Sequence, residues 1–207
     1  MQQDSARSTL KADTAQPHER LHELPVFQKL VNGTLKPAGY LALMMEFREF
    51  YARADVDIAD ACERYKKSLG DYEYFPRSKL IASDVEALEA HGVKLRQSPP
   101  TTDRRLKIGG LEELIGVLYV VDGSALGGSA LNRPVRLLLQ NTGADGASYW
   151  RWCQTNGVRR WKSTLQLLEW CWQESENHGG IVSSAHQTFD VLGSYLGAHG
   201  HLREQTC

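Results

Sequence analysis

Leu118-Tyr119-Val120-Val121-Asp122-Gly123-Ser124-Ala125-Leu126-Gly127-Gly128-Ser129-Ala130-Leu131 joins an apolar run to three glycines. Inside a helix each glycine costs about 1 kcal/mol relative to alanine, so something must offset roughly 3 kcal/mol. Residues four apart share a helix face. Gly123 and Gly127 are four apart, as are Ser124 and Gly128, and together they give a strip almost free of side chains. Such a strip serves either close packing of one helix on another or a helix lying over a flat ligand, and glycines also let a helix bend. A dinucleotide fingerprint is a poor fit, because GxGxxG and its preceding strand are missing, and no GK[ST] supports a phosphate loop.

Outward from this segment the pattern is helical. Apolar positions Leu10, Leu21, Leu24, Phe27, Leu30 and Val31 predict a first helix from Ser8, closed by Asn32-Gly33; residues 1–7 are expected to fray. Pro37 suits the first turn of a second helix with an apolar face from Tyr40 to Tyr51. Residues 55–65 read as another helix, 66–78 as a connection, and Ser78 as the cap of a helix that stops at Gly92. After a loop at 97–104, helical pattern returns from Leu111 to Leu131 and breaks at Asn132-Arg133-Pro134. Segments 147–155, 158–176 and 181–198 follow, separated at Gly157 and Gly179-Gly180. Tyr119-Val120-Val121 is β-prone but lacks strand alternation. The expected fold is all-α, one domain over residues 1–207, with seven or eight helices on one core.

His18 lies on the first predicted helix and His22 follows one turn later. A pair at i, i+4 can chelate a metal, yet no HExxH and no nearby third ligand mark a zinc site. Neutral imidazole also ligates haem iron. A histidine on one helix facing a helix without side chains would hold a haem between them.

Three segments carry a resemblance to a known family. Leu10-Lys-Ala-Asp-Thr-Ala-Gln-Pro-His18 resembles the opening motif L-[KR]-x-x-T-x-x-x-H of the haem (heme) oxygenases. Phe75-Pro-Arg-Ser-Lys-Leu80 through Asp84 to His91-Gly92 is similar to a mid-chain helix of the bacterial, bacteriophytochrome-associated branch. Leu118 to Gly128 resembles that branch's distal motif Y-V-x-[ED]-G-S-x-L-G-G. The resemblance implies an all-helical fold with haem b, both substrate and cofactor, between the first helix and a kinked glycine-rich distal helix. It implies His18 as proximal iron ligand, Lys11 beside a propionate, and further binding positions at Tyr119, Arg159, Arg160 and Lys162. Gly123, Ser124, Gly127 and Gly128 would line the distal face, and Asp122 would hold water there as a proton source. The implied reaction uses O2 and an external electron donor, ferredoxin-type or a small molecule, and yields biliverdin, CO and ferrous iron, with a phytochrome as a possible receiver of biliverdin. Two departures stand out. Pro17 either kinks a helix begun at Leu10 or falls in the first turn of one capped by Thr14, which would put Lys11 outside it. Asp122 is shorter than the glutamate frequent in bacterial relatives.

Composition fits an ordinary globular protein: 42% of residues are hydrophobic and 24% charged. A net charge of -1 gives no long-range attraction to nucleic acid or anionic lipid. Cys62, Cys153, Cys171 and Cys207 form no CxxC pair and read as reduced thiols of a cytoplasmic protein. No signal peptide is evident, and the apolar stretches are expected to fall short of a membrane span. Three other readings stay open: a haem carrier or sensor that leaves its ligand intact, a thiaminase-like or quinone-cofactor enzyme on the same architecture, and an interaction module in which the glycine strip only packs.

Overall fold

The computed structural model describes residues 5–95 and 102–197. These form ten α-helices and one 3-10 turn: α1 (Ala6–Asp13), α2 (Ala15–His22), α3 (Pro25–Val31), α4 (Pro37–Arg64), α5 (Lys66–Leu69), α6 (Ser78–Ala90), α7 (Leu111–Gly128), the 3-10 turn Ser129–Leu131, α8 (Asn132–Leu139), α9 (Ser148–Glu174) and α10 (His178–Gly197). The all-α expectation is met, and no strand occurs among the described residues. The expectations for residues 1–4 and for residues 96–101 of the loop lie outside the described residues.

The centre of the bundle is α7, buried on nearly every side from Leu114 through Asp122. A helix apolar all round must be wrapped by others, and α9, α10 and α4 wrap this one. The expectation about apolar stretches needs correcting. Leu111–Leu139 is long and apolar enough to cross a membrane, but 61% of its most apolar window is buried in the fold, as in a core helix. Glycines allow the tight crossings. A Cβ on Gly116 would stand 2.3 Å from the Ile181 carbonyl oxygen on α10, and a Cβ on Gly157 of α9 would stand 2.9 Å from the Ala125 carbonyl oxygen. Gly157 therefore joins two predicted segments into one 27-residue helix, rather than dividing them. Gly179 and Gly180 likewise lie inside α10.

Other boundaries differ for physical reasons. The predicted break near residue 54 does not exist; α4 runs through it, placing Asp55 on its buried face. That carboxylate, rather than Ser78, caps α6, accepting from the backbone N–H groups of Arg77 and Ser78 at 2.7 Å each. Asp84 does the same for α9, accepting from Ser148 and Tyr149 at 2.8 and 2.9 Å. Both acids satisfy orphan donors and complement the positive helix end, but they come from distant helices, so no local motif announces them.

The predicted first helix is three. Ser5 caps α1, its Oγ accepting from the Ser8 N–H, and Glu169 accepts from the Ala6 and Arg7 N–H groups; residues 5–7 are held, not frayed. Thr14 interrupts the chain with φ -94° and ψ 5° and donates its hydroxyl to the Leu10 carbonyl at 2.7 Å. Pro17 then falls in the first turn of α2, where a missing N–H costs little, while Lys11 stays in the last turn of α1. Pro134 similarly sits in the first turn of α8; the break precedes it, at Ser129–Leu131.

Gly116→Ala is expected to destabilise the fold by about 1–3 kcal/mol through overpacking. Gly127→Ala meets nothing within 4 Å and should be neutral or stabilising by up to about 1 kcal/mol. Urea unfolding of the two variants checks both signs.

Candidate functional site

The glycine strip divides between two tasks. Gly128 packs on α9, where a Cβ would come 3.2 Å from Trp150 and 3.4 Å from Cys153 Sγ. Gly123 lies beneath Trp161, where an added Cβ would come 3.2 Å from the indole. A Cβ on Gly127 would meet nothing within 4 Å, and the residue is exposed. Beside it, half-buried Ser124 donates its hydroxyl to the Val120 carbonyl at 2.8 Å, which leaves the oxygen able to accept.

His18 projects from α2 with an exposed ring. Its Nε2 lies 3.2 Å from His22 Nε2, and Phe189 of α10 meets the ring edge-on at 6.0 Å between centroids. Partial burial and the neighbouring His22 lower its pKa below 6.5, so the imidazole keeps its neutral, ligating form; Glu19 opposes and Lys11 adds to the shift. The start of α2 is fastened to α7, because the Thr14 and Tyr119 side chains are hydrogen-bonded. Tyr119 also packs on Trp161, centroids 5.1 Å apart. Thus His18 stands one turn beyond Thr14 on α2, and Gly123 and Gly127 stand one and two turns beyond Tyr119 on α7.

Asp122 sits apart from the strip. At 100° per residue it points about 160° from Ser124 and about 140° from Gly127. Its side chain is fully buried. Arg77 Nη2 donates to Oδ1 in a very short contact, Arg160 Nε donates to the same oxygen at 3.2 Å, and Tyr72 and Thr164 hydroxyls donate to Oδ2 at 2.8 and 2.6 Å. Burial alone would favour the neutral acid. Arg77 and Arg160 outweigh it, helped by Thr164 and Tyr72, and hold the carboxyl below its ordinary range. Arg77 is itself fully buried, donates to the Tyr74 hydroxyl at 3.2 Å and lies over the rings of Trp152, Tyr74 and Tyr51 at 5.2–5.7 Å. Tyr74 donates in turn to Asp55.

The expected site residues therefore separate. Arg160, expected beside a propionate, donates its nitrogens to Asp122, to the Glu73 carbonyl at 2.7 Å and to Tyr72 at 2.8 Å. Lys11, Arg159 and Lys162 remain exposed cations. Sequence reasoning missed Tyr72 and Thr164, which carry no motif, and passed over Arg77 although it lies inside the matched Phe75–Leu80 segment. Among the described residues the three cysteines are free thiols, and burial pushes Cys62 and Cys171 up to about 11 and Cys153 to about 12. At neutral pH they are not nucleophilic thiolates.

The family model for heme oxygenase matches residues 4–196. No curated protein matches the chain.

Asp122→Asn leaves the buried guanidinium of Arg77 and the partly buried one of Arg160 without this counter-charge and should cost about 3–5 kcal/mol. The folded-state pKa of Asp122 is lowered, so its stabilisation is present above its unfolded value of 3.8 and is lost as pH falls from there through the folded value. Unfolding free energies measured down the acid limb should show this loss in the wild type and a flatter slope in the variant.

Proposed function

The chain belongs to the heme oxygenase family, and we propose that it binds haem through His18 and cleaves it to biliverdin, CO and ferrous iron. The observation that carries the reading is an exposed, neutral imidazole on a helix pinned by Thr14–Tyr119 to the glycine-bearing α7, whose Gly127 faces open space. The bound haem would supply the redox centre and its own ring as substrate, with O2 and an external electron donor as co-reactants.

The chain's residues do the rest. His18 would give up its hydrogen bond to His22 to hold the haem iron. Phe189, edge-on to that imidazole, would limit its rotation. Gly127 keeps the opposing face clear, and no side chain there crowds a small gas. Ser124 is the polar group nearest that face in the helix register, and its free acceptor capacity suits it to hold a water and so deliver a proton. Asp122 takes a different part from the one expected: it anchors α7 to α6 and α9 from the far side. Lys11, Arg159 and Lys162 are the cations free to meet propionates. A ferredoxin-type protein or a small reductant supplies electrons, and a phytochrome is one receiver of biliverdin.

One observation favours a second reading, a haem carrier or sensor: the acid expected to manage distal water is sealed among arginines. Adding hemin to the purified protein, then a ferredoxin system in air, separates the two. The proposal expects a one-to-one histidine-type Soret band that decays into biliverdin absorption, with binding weakened at least about tenfold in His18→Ala. A band that persists under reducing turnover conditions supports the carrier. Absence of stoichiometric binding sinks both. Ser124→Ala should retain the haem spectrum and slow ring opening by a factor on the order of 10–100.

A further inference from the structure

His22 has no part in the haem reading, yet it is the nearest polar partner of the ligand-bearing His18. The two rings project from one face of α2 into solvent, centroids 4.4 Å apart and tilted by 48°. Their Nε2 atoms are 3.2 Å apart. Two imidazole nitrogens bound to one tetrahedral zinc at 2.0–2.1 Å are separated by about 3.3 Å. The free protein thus already holds both donor atoms at the separation a shared metal ion requires. We infer that His18 and His22 form a bidentate site for a divalent transition-metal ion such as Zn2+ in the haem-free protein.

The chemistry balances simply. In the metal-free pair one ring donates its Nε2 proton to the other; on metal binding that proton moves to Nδ1 of the same ring, and both Nε2 lone pairs converge on the ion. No set of three or more His, Cys, Asp or Glu side chains able to hold a metal occurs among the described residues, so water completes the coordination. Imidazole selects zinc, copper or nickel, whereas magnesium and calcium require oxygen ligands. An ion seated here occupies the atom that haem iron would need. Metal and haem are then mutually exclusive on His18, a consequence that rests on the proposed function, whereas the metal site does not.

The test is calorimetric titration of haem-free protein with ZnCl2, with MgCl2 as control, on wild type, His18→Ala and His22→Ala. Histidine Hε1 resonances are followed in parallel, and circular dichroism checks the fold of each variant. The proposal expects zinc to perturb the His18 and His22 resonances together, one equivalent to be lost in either variant, and magnesium to bind nowhere near them. Zinc uptake unchanged in His22→Ala, or resonances that do not move, overturns it. Hemin titrations with and without saturating zinc then address exclusion. Zinc should weaken hemin binding at least about tenfold in wild type and leave it unchanged in His22→Ala; equal hemin affinity with and without zinc overturns exclusion. Should no variant or wild type bind hemin at all, the functional reading fails while the calorimetry still decides the metal site.

Discussion

The contact between Asp122 and Arg77 joins the helices that carry everything else. Both groups are removed from water, which costs several kcal/mol for each charge, and their attraction offsets that cost only because every nearby donor is aimed at the carboxylate. Tyr72, Thr164 and Arg160 supply those donors from the connection before α6 and from α9. Arg77 passes the constraint on through Tyr74 to Asp55 on α4, and Asp55 caps α6. A single buried carboxylate on α7 thereby sets the positions of α4, α6 and α9 around it.

With that anchor in place, the opposite side of α7 is free to be bare. The glycines at its two crossings with α9 and α10 let backbones meet, and Gly127, which meets nothing, differs from them only in where the register puts it. The strip is therefore neither purely a packing device nor purely a ligand surface. Gly128 belongs to the first kind and Gly127 to the second, with Gly123 under Trp161 between them.

The all-α class was legible because Leu111–Leu131 is apolar beyond one face and because the flanking segments repeat with helical spacing. The motif singles out His18, and the fold places it on α2 with an exposed ring. The caps were not: Asp55 and Asp84 act across more than 20 and 60 residues, and a local rule assigns the job to Ser78. The direction of Asp122 is set by helix register, since two residues along a helix nearly reverse the face, and the partners that surround it, Arg77, Tyr72, Thr164 and Arg160, lie far away in sequence. Gly157 reads as a breaker because glycine lowers helix propensity, but its close approach to the Ala125 and Leu126 backbone decides the matter there.

The interruption at Thr14 leaves His18 on a helix of eight residues. A helix that short does not hold itself together in water, because nucleation outweighs the few hydrogen bonds it can form. Its order is borrowed from what it touches: the Tyr119 bond at its start, Phe189 beside His18, and Leu21 beside Gly193, where an added Cβ would stand 3.4 Å from the leucine. In amide hydrogen exchange α2 is the segment whose protection would report most directly on occupancy, opening locally at a free energy far below that of the α7 core. Entry and departure of anything bound at His18 would then be set by the breathing of one short helix, while the rest of the bundle stays closed.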